Sequence, residues 1–119
     1  MNNMSMILRT ATLLIALAFS ASALAGPKGK IAAGKAKAQV CAACHGADGN
    51  KTLDGTYPKL AGQYPDYLSK ALHEYKTGKR KNAIMAGQAQ GLSDQEIADL
   101  AAYFGSLKAE IHDLSGHTR

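Results

Sequence analysis

Cys41-Ala42-Ala43-Cys44-His45 reads C-x-x-C-H and holds the only two cysteines of the 119-residue chain. On a helix the two sulfurs lie three residues apart and His45 lies four from Cys41, so all three side chains reach one side of one turn. This is the pattern by which a haem is attached covalently: Cys41 and Cys44 would form thioether bonds to the porphyrin edge, and the His45 imidazole would bind iron from below. A zinc site, a thioredoxin-like redox pair and a plain disulfide compete for the same spacing. Zinc wants four protein ligands, and the chain has no second cysteine pair. A redox C-x-x-C expects a β-α-β context, which this alanine- and glycine-rich sequence lacks. One covalently attached haem c is the favoured reading.

The first 25 residues fit a secretory signal, removed to leave a chain that starts at Gly26 and functions in the periplasm. Arg9 is followed by an apolar run from Ala11 to Phe19, and Ala23-Leu24-Ala25 puts small residues at the cleavage positions. The apolar run is shorter than the roughly 20 residues of a spanning helix, so no membrane span is expected in the mature protein. Residues 26–119 suffice for a single small domain, with a core at 30–107 and a polar tail at 112–119. Phe104 is the one Phe beyond the signal, and there is no Trp. A buried porphyrin would supply the apolar area that so small a chain lacks.

Periodicity predicts three helices and no strand. The first spans Lys30 to Cys44, with Ile31, Gly34, Ala38 and Cys41 on one stripe. The second starts at Pro65, carries Tyr64, Tyr67, Leu68, Ala71, Leu72 and Tyr75 at helical spacing, and stops at Gly78. For the third, Ser93 and Glu96 form an S-x-x-E capping box, and Leu92 and Ile97 a hydrophobic staple. Its inward stripe is Ile97, Leu100, Ala101 and Phe104. Small Gly34 and Ala38 would admit this helix closely, so the first and third helices are expected to cross. Two longer connections remain, Gly46 to Gln63 and Lys79 to Gly91, and loops of that length are commonly functional.

Met85, in the second connection, is the one methionine outside the signal. A thioether is a soft ligand suited to haem iron, so a sulfur on the second axial position has to come from Met85. Asn82 is a candidate donor to that sulfur. His73, His112 and His117 lie outside this connection and read as surface residues.

These segments resemble the class I c-type cytochromes, in particular the single-domain periplasmic cytochrome c4/c553 type. The resemblance covers residues 30 to 107: C-A-A-C-H-G at Cys41–Gly46, Y-P-K-L-A-G-Q at Tyr57–Gln63, I-M-A-G at Ile84–Gly87, and G-L-S-D-Q-E-I-A-D-L-A-A-Y-F from Gly91 to Phe104. It implies an all-α cytochrome c fold wrapped around one haem, with crossed terminal helices and His45 and Met85 on opposite faces of the iron. It also implies that the Pro58 carbonyl accepts the outer ring proton of His45, which sets the tautomer. Cytochrome c4 itself usually has two such domains, and this chain holds one, so the single-domain relatives are the better match.

The chain carries 14 basic and 9 acidic residues, a formal net charge of +5. Basic residues concentrate before residue 82, with Lys79-Arg80-Lys81 the densest run, which suits steering of redox proteins with an acidic docking surface. Nucleic-acid motifs are absent. The functional expectation is a one-electron carrier with no catalysis of its own, as a monomer or weak dimer. The alternative is the haem subunit of a larger periplasmic oxidoreductase, such as a flavocytochrome-type sulfide dehydrogenase. A five-coordinate haem enzyme or gas sensor would require Met85 to be off the iron.

Overall fold

Five helices carry the chain in the computed structural model, which describes residues 26–110. They are α1 (Ile31–Lys37), α2 (Ala42–His45), α3 (Pro65–Lys76), α4 (Ala83–Gln90) and α5 (Asp94–Ser106). No strand occurs among the described residues. The expected signal and the tail, with His112 and His117, lie outside them.

The crossing of α1 and α5 forms the centre of the fold. A Cβ on Gly34 would lie 2.0 Å from the Asp99 carbonyl oxygen and 2.7 Å from the Tyr103 Cβ, so only glycine permits this approach. Ala38, Ile97, Leu100, Ala101, Tyr103 and Phe104 are buried around it, joined by Leu68 from α3 and by Leu92. Ile97 is wholly buried and Leu92 nearly so, as a staple requires. The capping box is present in both directions: the Ser93 Oγ accepts the Glu96 N–H at 3.2 Å, and the Glu96 carboxylate accepts the Ser93 N–H at 2.8 Å.

Four expectations change. The first helix divides in two: Cys41 N–H bonds to the Ala38 carbonyl at 3.0 Å, an i→i+3 tightening beside exposed, β-branched Val40, before the chain resumes as α2. Ile31 is 53% exposed, because the contact with α5 runs through Gly29 and Gly34, whose backbones touch Ala98 and Asp99. The connection from Lys79 to Gly91 contains a helix, α4. Asn82 caps it, accepting the Met85 N–H at 2.9 Å, and that bond together with packing against α3 sustains a segment with little amphipathic pattern. On α3 the buried stripe narrows to Leu68 and Ala71, with Tyr64 and Tyr67 exposed.

A buried carboxylate also organises the crossing. Asp99 on α5 accepts the Lys30 N–H at 2.7 Å and the Gln95 side-chain amide at 2.8 Å. It thereby satisfies an orphan donor at the start of α1, where the helix dipole favours negative charge.

Candidate haem site

The C-x-x-C-H segment folds as one tight turn. Cys41 opens α2, and its carbonyl accepts the N–H groups of Cys44 at 3.2 Å and His45 at 3.0 Å. The side chains of Cys41 and Cys44 are both half-buried. His45 is 5% exposed. Its Nδ1 lies 2.8 Å from the Pro58 carbonyl oxygen, so Nδ1 carries the proton and Nε2 the lone pair a metal would use. The Tyr57 ring stands edge-on to the imidazole, with centroids 6.2 Å apart at 82°.

Gly46 turns the chain away immediately after His45. Its φ is 83°, and a Cβ there would meet the Lys51 carbonyl oxygen at 2.3 Å. The following loop is stitched by side chains for which the sequence offered no role. One Asp48 oxygen accepts the N–H groups of Asn50 and Lys51, and these bonds hold its carboxyl below the usual pKa. Buried Asn50 then fastens the loop to the end of the domain, donating to the Lys108 carbonyl and accepting the Glu110 N–H, each at 2.9 Å. An Asn-rich or Asp-rich turn after the motif is a weak signal for such fastening, since most such residues only shape their own loop.

Cys41, Cys44, His45 and Pro58 therefore come together around one turn. Met85 lies on the other limb, half-buried in the first turn of α4. A groove lined by Ala36, Val40, Gly87 and Leu92 runs between α1 and α4, so the residue just before Cys41 and the residue two after Met85 border the same space. Asn82 reaches Met85 through the backbone, by the cap bond. His73 belongs elsewhere, its Nδ1 donating to the Ser69 carbonyl at 2.8 Å and its Nε2 lying 3.4 Å from Asp94.

The residues suit a haem. Two cysteines and one imidazole with a fixed tautomer share a turn, a soft thioether stands on the neighbouring limb, and large apolar side chains flank them. Val40, Leu53 and Ile84 are 66%, 67% and 58% exposed, and each adjoins a donor: Val40 precedes Cys41, the Leu53 N–H bonds to the Cys44 carbonyl at 2.9 Å, and Ile84 precedes Met85. A flat apolar macrocycle needs surface of this kind.

Comparison with known proteins agrees. A family model described as Cytochrome c matches residues 31–108. Cytochrome c4 of Pseudomonas aeruginosa is 50% identical over 95 residues, covering 80% of this chain and 47% of that protein. Cytochrome c-554(548) of Halomonas halodenitrificans is 48% identical over 81 residues, covering 66% of this chain and 96% of that protein. The crystal structure of reduced recombinant cytochrome c4 from Pseudomonas stutzeri matches with a TM-score of 0.63 at 45% identity, covering 67% of this chain and 46% of that one. The chain spans about half the length of the cytochromes c4 it matches. Helices crossed at Gly34, a C-x-x-C-H turn with a carbonyl-held histidine, and these relatives lead to one conclusion: the chain belongs to the cytochrome c family, whose cofactor is covalently bound haem c.

Proposed function

We propose that this chain is a periplasmic monohaem cytochrome that carries single electrons between redox proteins, with Cys41 and Cys44 as the thioether attachments and His45 and Met85 as the axial ligands. The observation that carries this reading is the buried His45 with its Nδ1 on the Pro58 carbonyl at 2.8 Å, the arrangement an axial imidazole needs. The bound haem supplies a reversible Fe(II)/Fe(III) couple. Pro58 keeps the proton on Nδ1 and makes the imidazole a stronger donor. Met85 presents a soft sulfur, which favours the reduced state relative to a second nitrogen ligand. Asn82 fixes the first turn of α4, and its amide is the proposed donor to the thioether sulfur. His45 and Met85 would together hold the iron, which would leave it to electron transfer in place of substrate binding.

Exposed Lys79 and Lys81 suit brief encounters with an acidic surface. Such contacts are small and weak, consistent with a carrier that is a monomer or weak dimer. Export follows from reading the first 25 residues as a cleaved signal.

The test is a pair of visible spectra, oxidised and reduced, for the purified protein and its Met85→Ala variant. A low-spin spectrum with an iron–sulfur charge-transfer band that vanishes in the variant supports the assignment. Identical spectra for the two proteins would remove Met85 from the iron.

A further inference from the structure

The run Lys79-Arg80-Lys81 divides in the folded chain: the two lysines are exposed, whereas Arg80 is half-buried and bound on several sides. We propose that Arg80 is a positioning residue for Met85, clamping the start of the α4 limb onto α3 so that the thioether keeps a fixed attitude. This rests on the reading of Met85 as an axial ligand.

The clamp uses every part of the residue. Its backbone N–H donates to the Glu74 carbonyl at 3.0 Å. Its guanidinium lies 5.5 Å from the Tyr67 ring centroid and 5.4 Å from that of Tyr75, within cation–π range of both. Nη2 donates to the Tyr67 hydroxyl at 3.1 Å, and Nε lies 3.8 Å from the Glu74 carboxylate. Two residues further on, Asn82 caps α4 by accepting the Met85 N–H. A fixed residue 80 therefore fixes the cap, and the cap fixes the turn that bears the sulfur. In this turn Ala83 and Ile84 are exposed and Met85 and Ala86 half-buried, and Ala89, near the far end, is the buried residue of α4. That far end has its own tie, from the Lys76 ammonium to the Leu92 carbonyl.

Lysine is a poor replacement. Its ammonium can approach one ring or one carboxylate, but it lacks the planar fork that donates to Tyr67 while facing Glu74 and two rings. The charge of Arg80 is thus engaged by contacts within the chain, and any docking charge in this run belongs to Lys79 and Lys81.

The test uses the haem-loaded full chain and its Arg80→Ala, Arg80→Lys, Lys79→Ala, Lys81→Ala and Met85→Ala variants. Two readouts follow the thioether: the ferric iron–sulfur band and the rate of carbon monoxide binding to the ferrous form. Arg80→Ala is expected to lose at least half of the band and to bind carbon monoxide at least about tenfold faster, with Arg80→Lys between it and wild type and both lysine variants unchanged. If Arg80→Ala matches Lys79→Ala in both readouts while Met85→Ala loses the band, the positioning role fails and the ligand reading stands. If Met85→Ala keeps the band, the ligand reading itself fails. Should Arg80→Ala not accumulate, the Tyr67→Leu/Tyr75→Leu double variant keeps the arginine but removes both ring faces. It is expected to give the same losses, and wild-type behaviour in it would overturn the clamp.

Discussion

The α1–α5 crossing and the α4 limb are held by different physics. At the crossing, backbones meet through Gly34 and Gly29, eight apolar residues form the buried cluster around them, and a buried carboxylate caps one helix from the other. The α4 limb has one buried residue, Ala89; it packs against α3 and is tied at its two ends by polar contacts, Arg80 to Glu74 and Lys76 to the Leu92 carbonyl. The proposed haem site spans both: His45 follows directly from the well-packed part, and Met85 lies on the α4 limb. Apolar packing holds one proposed ligand, and hydrogen bonds and cation–π contacts hold the other.

The largest effect that can break this contrast is expected at Gly34. Gly34→Val places methyl groups where the Asp99 carbonyl and Tyr103 already stand, and should cost about 3 kcal/mol of global stability, a sizeable share of what a small domain has. Denaturant unfolding followed by circular dichroism would measure it, and an unchanged midpoint would mean that the helices can separate without loss.

On the other limb, Asn82→Ala removes the cap of α4 and should cost about 1 kcal/mol of helix stability. The loss should appear as faster amide exchange confined to α4, with the α1–α5 amides unaffected. Exchange that quickens equally across the molecule would show the two regions to be one cooperative unit.

The crossing was legible in the sequence because its signals are local and redundant. Gly34, Ala38, the S-x-x-E box and the Leu92/Ile97 staple all point to a C-terminal helix packed closely on an N-terminal one. The motif turn was equally legible, since C-x-x-C-H states its own chemistry. Helix α4 was missed because Ala83–Gln90 mixes Ala, Gly and Gln without an apolar face, and a single Asn cap is weak evidence of a helix. Arg80 read as one charge in a basic run, because its partners Tyr67, Glu74 and Tyr75 sit on another helix that only the fold brings close. Asp99 and Asn50 were invisible for the same reason, each binding backbone groups at least 58 residues away.

The smallest effect concerns pH and sharpens the account of the crossing. The Lys37 ammonium, 2.6 Å away, and then the Ser93 N–H lower the Glu96 pKa from 4.5 to about 2. A depressed carboxylate contributes stability that is fully present above the unfolded value of 4.5 and is lost as pH falls toward about 2. Because the pair is exposed, the contribution is small and screened by salt. Glu96→Gln should flatten the stability profile between these two pH values at low salt, and a slope equal to that of wild type would assign the acid sensitivity to other carboxylates.

The most direct measurement for the central claim is the intact mass of the exported protein, with peptide mapping across Cys41–His45. The account predicts one haem added covalently, both cysteines closed to alkylation, and a chain beginning at Gly26. A secreted chain of unmodified mass with two alkylatable thiols would contradict it.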